Sequence, residues 1–377
     1  MSSEEQKKEK EEDDVVEQQQ QHHHHERLPA SPGKVSSEFL EKVIYPNLGA
    51  VRPEVVVGPS QGVDTCVIRI DQSRVLVATT DPLSLIPELG PSKSAWMSVN
   101  LLANDLSTSG FSPQYLMVDL NLPLGVPDAQ LEEYWNALSQ ECSHLGIAIV
   151  GGHTGKFEGL NSTILGAGTM FCTGSAQHCL TTKGAKHGDS VILTKGAAIS
   201  ATGILSQLFP DKIAERIGTR ALAEATKYFS EIAAIHDALA VAGAGVTAMH
   251  DVTEGGVLSA LYELASASSL GLTIEKEEIP VSEESSEICR IFGLDPYVTL
   301  GEGALVISCA PTKTEEVLRI LRQRGTRASV VGVLDEHAKA IRIREKSGVE
   351  SSVQYPVVDP YWSAYYDAVS SRSRSNK

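Results

Sequence analysis

The sequence predicts a two-domain α/β protein on three observations. At 377 residues the chain is long enough for two or three domains of about 150 residues each. Short apolar runs that read as strands alternate with amphipathic stretches that read as helices, the order expected of layered α/β folds. A polar stretch, Thr173 to Asp189, interrupts that alternation near the middle, after which it resumes. The expected divisions are a tail over 1–31, a first domain over 32–175, a second over 176–345 and an extension over 346–377 with a basic, Ser-rich end.

The tail comes first. Met1 to Glu26 holds nine acids and three lysines, so −6 of the formal net charge of −16 sits there, and Val15 and Val16 are almost its only apolar side chains. Such a composition buries too little surface to offset chain entropy, so disorder is expected, with the His22–His25 tract solvated rather than metal-bound. Beyond it, Val75 to Thr80 reads as a buried strand running into Asp81, and Tyr115 to Leu120 as another. Asp128 is placed to cap a helix whose Leu131, Trp135, Leu138, Cys142 and Leu145 share a face, with Gly146 ending it. Ile147 to Val150 and Thr163 to Phe171 follow as strands. In the second half Val191 to Thr194 reads as a strand and Ile213 to Val241 as one long Ala-rich helix. Gly256 opens a helix carrying Val257, Leu258, Leu261 and Leu264, and Thr312-x-x-Glu315 reads as a capping box ahead of Val317, Leu318 and Leu321. Val330 to Leu334 returns as a strand.

Several function classes are excluded. An acidic balance argues against general nucleic-acid binding, which needs clustered Lys and Arg. No apolar run approaches the roughly 20 residues needed to cross a bilayer, and the start of the chain is charged rather than signal-like, so a cytoplasmic protein is expected. Six Cys without a close pair do not make a disulfide framework or a zinc site. Gly-x₄-Gly-Lys-Ser/Thr does not occur, and Gly243-x-Gly245 follows a helical pattern, so neither nucleotide fingerprint applies.

Five short segments end in an Asp or a Gly pair: Gly62-Val63-Asp64-Thr65, Thr79-Thr80-Asp81, Asn104-Asp105 to Gly110, Gly151-Gly152-His153-Thr154 and His250-Asp251 to Gly256. Any one alone is an ordinary turn. Brought together, the carboxylates would make a hard oxygen site for Mg²⁺, and the glycine pairs would let backbone N–H groups approach phosphate.

With Pro32-Gly33-Lys34, Val57-Gly58-Pro59, Glu278-Ile-Pro-Val281, Gly293-Leu-Asp-Pro296 and Glu302-Gly303, these segments resemble, in collinear order from about Pro32 to Asp335, the AIR synthase (PurM-like) superfamily. That superfamily includes thiamine-monophosphate kinase, selenophosphate synthetase and HypE, and the likeness is closest to HypE-like AIR-synthase-related proteins. The resemblance implies a two-domain PurM-like fold, α/β (α+β), whose N-terminal domain holds ATP and forms a shared β-barrel in a homodimer, with a C-terminal α/β sandwich domain. It implies ATP and Mg²⁺ as cofactors, and activation of a small substrate by phosphorylation. Carried over by position, Asp64, Asp81 and Asp105 are the expected metal ligands. Asp81, Asp105, Asp251 and His153 are the expected catalytic residues. Lys34, Asp64, Thr80, Asn104, Gly151, Gly152 and Thr154 are expected around the nucleotide.

Two departures stand out against the family pattern. Val63 replaces an acid beside Asp64, and His153 replaces the acid of Gly-Gly-Asp-Thr. A neutral imidazole is a poorer Mg²⁺ ligand than a carboxylate, so either fewer ions or none held tightly is expected. The last Cys is Cys309 and the chain ends Ser-Asn-Lys, so the HypE reaction on a C-terminal Cys is not expected. The alternatives are a non-catalytic nucleotide- or partner-binding paralogue and a thiamine-monophosphate-kinase-like enzyme.

Overall fold

The structure, a computed structural model, describes residues 33–160, 163–336, 340–353, 355 and 357–375. The acidic tail with its His tract lies outside the described residues. In the first half, β1 (Val55–Val57), β2 (Cys66–Arg69), β3 (Arg74–Ser84), β4 (Tyr115–Pro123), β5 (Ala148–Phe157) and β6 (Ile164–Ser175) form one mixed sheet. Its order is β1-β2-β3-β6-β4-β5, with β4 and β5 parallel and the other pairs antiparallel. Helices α1 (Pro91–Ser107) and α2 (Asp128–Leu145) pack on each other and cover one face of the sheet. Along β4 burial alternates strictly from Tyr115 to Leu120, so Leu116, Val118 and Leu120 enter the core while Tyr115 and Met117 stay outside. On the opposite face Val55, Val56, Tyr115, Met117 and Val150 are exposed among the described residues.

The second half builds a seven-stranded sheet from β7 (Ser190–Thr194), β8 (Val246–Asp251), β9 (Gly271–Glu275), β10 (Leu305–Cys309), β11 (Ala328–Asp335), β12 (Ile341–Arg344) and β13 (Glu350–Ser352). The order is β13-β12-β9-β11-β7-β10-β8. Here both faces are covered. Val191, Leu193, Ala248 and Val306 join one core, shared with Val257, Leu261 and Leu264. Their neighbours Ile192, Met249, Leu305 and Ile307 join another, shared with Val241, Val317 and Leu321. Strands β7 and β10 are therefore buried at every residue, which explains their unbroken apolar reading.

Besides a short helical segment that starts at Ser37–Phe39, the further helices are α3 (Ile199–Leu208), α4 (Pro210–Lys227), α5 (Ile235–Val241), α6 (Gly256–Ala267), α7 (Glu283–Phe292), α8 (Thr314–Gln323) and α9 (Tyr361–Ser375). A cluster including Ile86, Met97, Ile204, Ile232, Leu300 and Tyr361 joins α1 to α3 and α9.

Several expectations are corrected. The long helix over 213–241 is three pieces: Gly218 breaks α4 at φ +82°, and a 3₁₀ turn, Ser230–Ile232, separates α4 from α5. That turn is held by long-range partners which override the Ala-rich helical preference. Lys195 Nζ donates to the carbonyls of Glu231 and Ala233, at 2.7 and 2.8 Å. The capping box at Thr312 does not form, because Pro311 opens a 3₁₀ turn and α8 begins only at Thr314. Pro127 occupies the N-cap of α2, while the Asp128 carboxylate accepts from Lys156 Nζ at 2.6 Å. Asp81 lies inside β3 rather than in a loop after it, and Gly151–Thr154 lie inside β5.

Candidate functional site

A cavity of about 310 Å³ opens where the C-terminal half of β3, the end of α1, the end of β8 and the start of α6 meet. Each acid arrives on a different element. Asp64 follows a loop whose Gly62 sits at φ +69°, so close to α6 that an added Cβ would stand 2.8 Å from Glu263 Cβ. Asp81 projects from β3, Asp105 from the last turns of α1, and Asp251 from the final residue of β8. Four carboxylates 17 to 187 residues apart in sequence thus share one cavity.

They are not electrostatically satisfied by the protein. Burial, reinforced by Glu254, lifts the Asp81 carboxyl to about 7, although Lys34 opposes the rise. Burial and Asp64 together bring Asp251 to about 7. Asp105 is raised well above the ordinary carboxylate range by burial and by Asp251, Asp81 and Asp64, with only a hydrogen bond from Thr79 Oγ1, 2.9 Å, opposing. A group of carboxylates that resist ionising together is one that gains from a cation.

His250, beside Asp251, is 4 % exposed and engaged at both ring nitrogens. Nδ1 lies 2.5 Å from Asp64 Oδ1 and Nε2 lies 2.9 Å from Glu263 Oε2. Burial alone would lower its pKa, but these two carboxylates outweigh that and hold it well above the ordinary value. Asp64 Oδ2 is buried and has no hydrogen-bond partner. At the rim, Lys34 Nζ donates to Thr253 Oγ1 at 3.0 Å and pairs with Glu254 at 3.5 Å. The opposite wall is apolar, with Ile86, Met97, Ile204 and Leu300, and carries Glu302 hydrogen-bonded by Ser200 Oγ. Burial and Glu254 raise the Glu302 carboxyl well above its ordinary range. Donors of this kind, hard carboxylate oxygens with one buried oxygen unpartnered, suit Mg²⁺.

The N-terminal domain model of AIR synthase related proteins matches residues 62–174, and the C-terminal domain model matches 186–344. The chain belongs to the AIR synthase related family. Within this family it stands close to HypE. The hydrogenase expression/formation protein of Methanocaldococcus jannaschii is 27 % identical over 350 residues, covering 89 % of this chain and 97 % of that protein. The carbamoyl dehydratase HypE of Rhodobacter capsulatus is 30 % identical over 285 residues, covering 72 % and 79 %. In structure, hydrogenase maturation protein HypE in complex with ATP superposes with TM-score 0.62 at 20 % identity, covering 87 % of this chain and 97 % of that one. AaThiL complexed with AMPPCP and TMP gives TM-score 0.60 at 20 % identity, covering 78 % and 89 %. These likenesses establish the two-domain PurM-like fold with its two mixed sheets.

Of the AIR-synthase-like positions named from sequence, the structure brings Lys34, Asp64, Thr80, Asp81, Asp105 and Asp251 to one cavity. Asn104 is not among its lining residues. It is wholly buried, where Nδ2 donates to the Ile232 carbonyl at 2.8 Å and Oδ1 accepts from Ala234 N–H at 2.7 Å, so it bolts α1 to the turn before α5. Gly151, Gly152, His153 and Thr154 are exposed on β5, the edge strand, outside the cavity. Gly152 has a packing reason of its own: at φ +146° an added Cβ would stand 1.8 Å from the Val118 carbonyl oxygen. His153 lies near Phe157, ring centroids 6.3 Å apart. In the sequence His250 held a place in one of the five segments but no role of its own, and Glu263, Ser200, Tyr361 and Trp362 were not singled out. A signal existed for Glu263, the only charged residue between Gly256 and Ala267.

Proposed function

We propose that this chain is an ATP- and Mg²⁺-dependent enzyme that activates a small substrate by phosphorylation. The observation that carries the reading is the convergence of Asp64, Asp81, Asp105 and Asp251 in one cavity, with Asp64 Oδ2 buried and unpartnered. Mg²⁺ when bound supplies charge neutralisation to the phosphate oxygens. The protein's own part is positional. Thr79 fixes one oxygen of Asp105, Lys34 stands at the rim where a phosphate could replace Glu254 as its partner, and the apolar wall of Ile86, Met97 and Ile204 excludes water. The ATP-bound HypE and the AMPPCP-bound ThiL, which share the fold, support nucleotide as the ligand.

The uncovered face of the first sheet supports a homodimer, with Val55, Tyr115, Met117 and Val150 closing against the same face of a second copy as a shared barrel. In that arrangement Gly151–Thr154, remote from the cavity of their own chain, would lie at the subunit interface.

Calorimetric titration with a nonhydrolysable ATP analogue tests the reading. Binding is expected with Mg²⁺ and not in its absence, and is expected to vanish in the Asp81→Asn, Asp105→Asn double variant. Unchanged binding in that variant would refute the assignment of the cavity.

A further inference from the structure

The loop before β2 holds most of the unpaired buried side-chain polar atoms found among the described residues. Among the described residues, four buried side-chain polar atoms have no hydrogen-bond partner, and three of them lie within this loop: Ser60 Oγ, Gln61 Nε2 and Asp64 Oδ2. Buried polar atoms are ordinarily paired, so an unpaired one that faces a cavity marks a place for a ligand. Asp64, whose side chain is 5 % exposed, is the one of the three that carries charge and lines the cavity.

Potential ligand atoms of Asp64, His250 and Asp251 all lie within 4.8 Å of one another, which would suit a three-residue metal centre. His250 nevertheless has no nitrogen left to give, because both are held by carboxylates. It acts as a strut rather than a ligand. The strut continues outward: Glu263 Oε2 meets His250 Nε2, and Glu263 Oε1 accepts from Tyr355 Oη–H at 2.8 Å. Tyr355 in turn stacks on Tyr262 of α6, centroids 4.2 Å apart and rings 11° from parallel. Gly62 packs directly on Glu263 from the other side. The loop carrying Asp64 is therefore tied to α6 both by packing and by a chain of hydrogen bonds that ends in the C-terminal segment.

We propose that Tyr355, Glu263 and His250 form a positioning chain which holds Asp64 by Oδ1 and so leaves Oδ2 as the atom presented to a divalent cation. The inference rests on the Mg²⁺ reading above and adds the residues that orient the carboxylate. Outer partners of metal ligands commonly govern affinity about 10- to 100-fold, because they fix the rotamer of the ligating group. Were the three residues merely structural, their loss would leave Asp64 free to turn either oxygen to the cation, and affinity would be unchanged.

That contrast defines the experiment, a Mn²⁺ titration of the full chain followed by the electron paramagnetic resonance of the free ion. Asp64→Asn is expected to lose the bound ion. His250→Leu is expected to weaken Mn²⁺ binding about 10- to 100-fold. His250→Gln, which keeps a donor toward Asp64, should recover most of that affinity. Tyr355→Phe, a milder change near the surface, should weaken binding about fivefold, the effect of one net hydrogen bond. Equal or tighter binding in both His250→Leu and Tyr355→Phe, with Asp64→Asn still losing the ion, overturns the positioning chain while leaving the cation site intact. Wild-type binding in Asp64→Asn removes the cation reading and the chain with it. Should His250→Leu fail to fold, Tyr355→Phe alone decides, since unchanged affinity there overturns the chain.

Discussion

The two sheets of this molecule carry the same family likeness and end in different settings. Around the seven-stranded sheet, alternating residues such as Val306 and Ile307 enter two separate cores, and the last residue of β8 delivers Asp251 into the cavity. In the six-stranded sheet two helices cover one face, apolar residues of the other are exposed among the described residues, and the edge strand holds Gly151–Thr154 out in the open. One half buries both faces of its sheet, whereas the other leaves Tyr115, Met117 and Val150 exposed. A motif recognised in sequence thus locates a strand, but only the neighbours of that strand decide whether it meets a ligand within one chain.

The largest expected effect lies on the cavity side. Asp81→Asn with Asp105→Asn should lower affinity for a Mg²⁺–nucleotide complex by about a hundredfold or more, the upper scale for altered metal shells, as read by calorimetry. On the open face, Met117→Lys places a charge in the proposed contact and should convert dimer to monomer in light scattering, with little change in thermal stability because Met117 is 46 % exposed. A dimer that persists would show that this face pairs differently.

A third expectation concerns pH. The carboxyls of Asp81 and Asp251 stand at about 7 in the folded chain, above their ordinary value of 3.8. Between those values the folded state binds more protons than the unfolded one, so these groups make cation-free stability fall as pH rises from about 4 to about 7. A cation favours the ionised carboxylates and offsets that loss. The rise in melting temperature on adding Mg²⁺ should therefore be small near pH 5 and grow toward pH 8, and a rise independent of pH would contradict the cluster. The smallest effect is expected at His153, where Ala should change nucleotide affinity by no more than about twofold in the isolated site, as for other exposed positions. A large loss would place β5 of a second copy at the cavity.

Much of this was legible in the residues. The α/β alternation was readable because apolar periodicity is local, while Asp64, Asp81, Asp105 and Asp251, which the structure brings to one cavity, were singled out by the likeness to the AIR synthase superfamily. Asn104 shows the limit. The family likeness placed it around the nucleotide, and its side chain is held by a carbonyl and an N–H about 130 residues away, partners that no local pattern shows. His250 was hidden for a similar reason: its partners Asp64 and Glu263 sit on other elements, and nothing local separates a strut from a buried ring. The helix over 213–241 failed because Lys195, a residue outside it, captures the carbonyls of its middle.

The most direct measurement is a crystal of the full chain grown with Mn²⁺ and a nonhydrolysable ATP analogue, with the manganese located by anomalous scattering. A peak coordinated by Asp64 Oδ2 and at least one of Asp81, Asp105 and Asp251 is expected. Manganese bound elsewhere, with none at these four aspartates, would contradict the assignment.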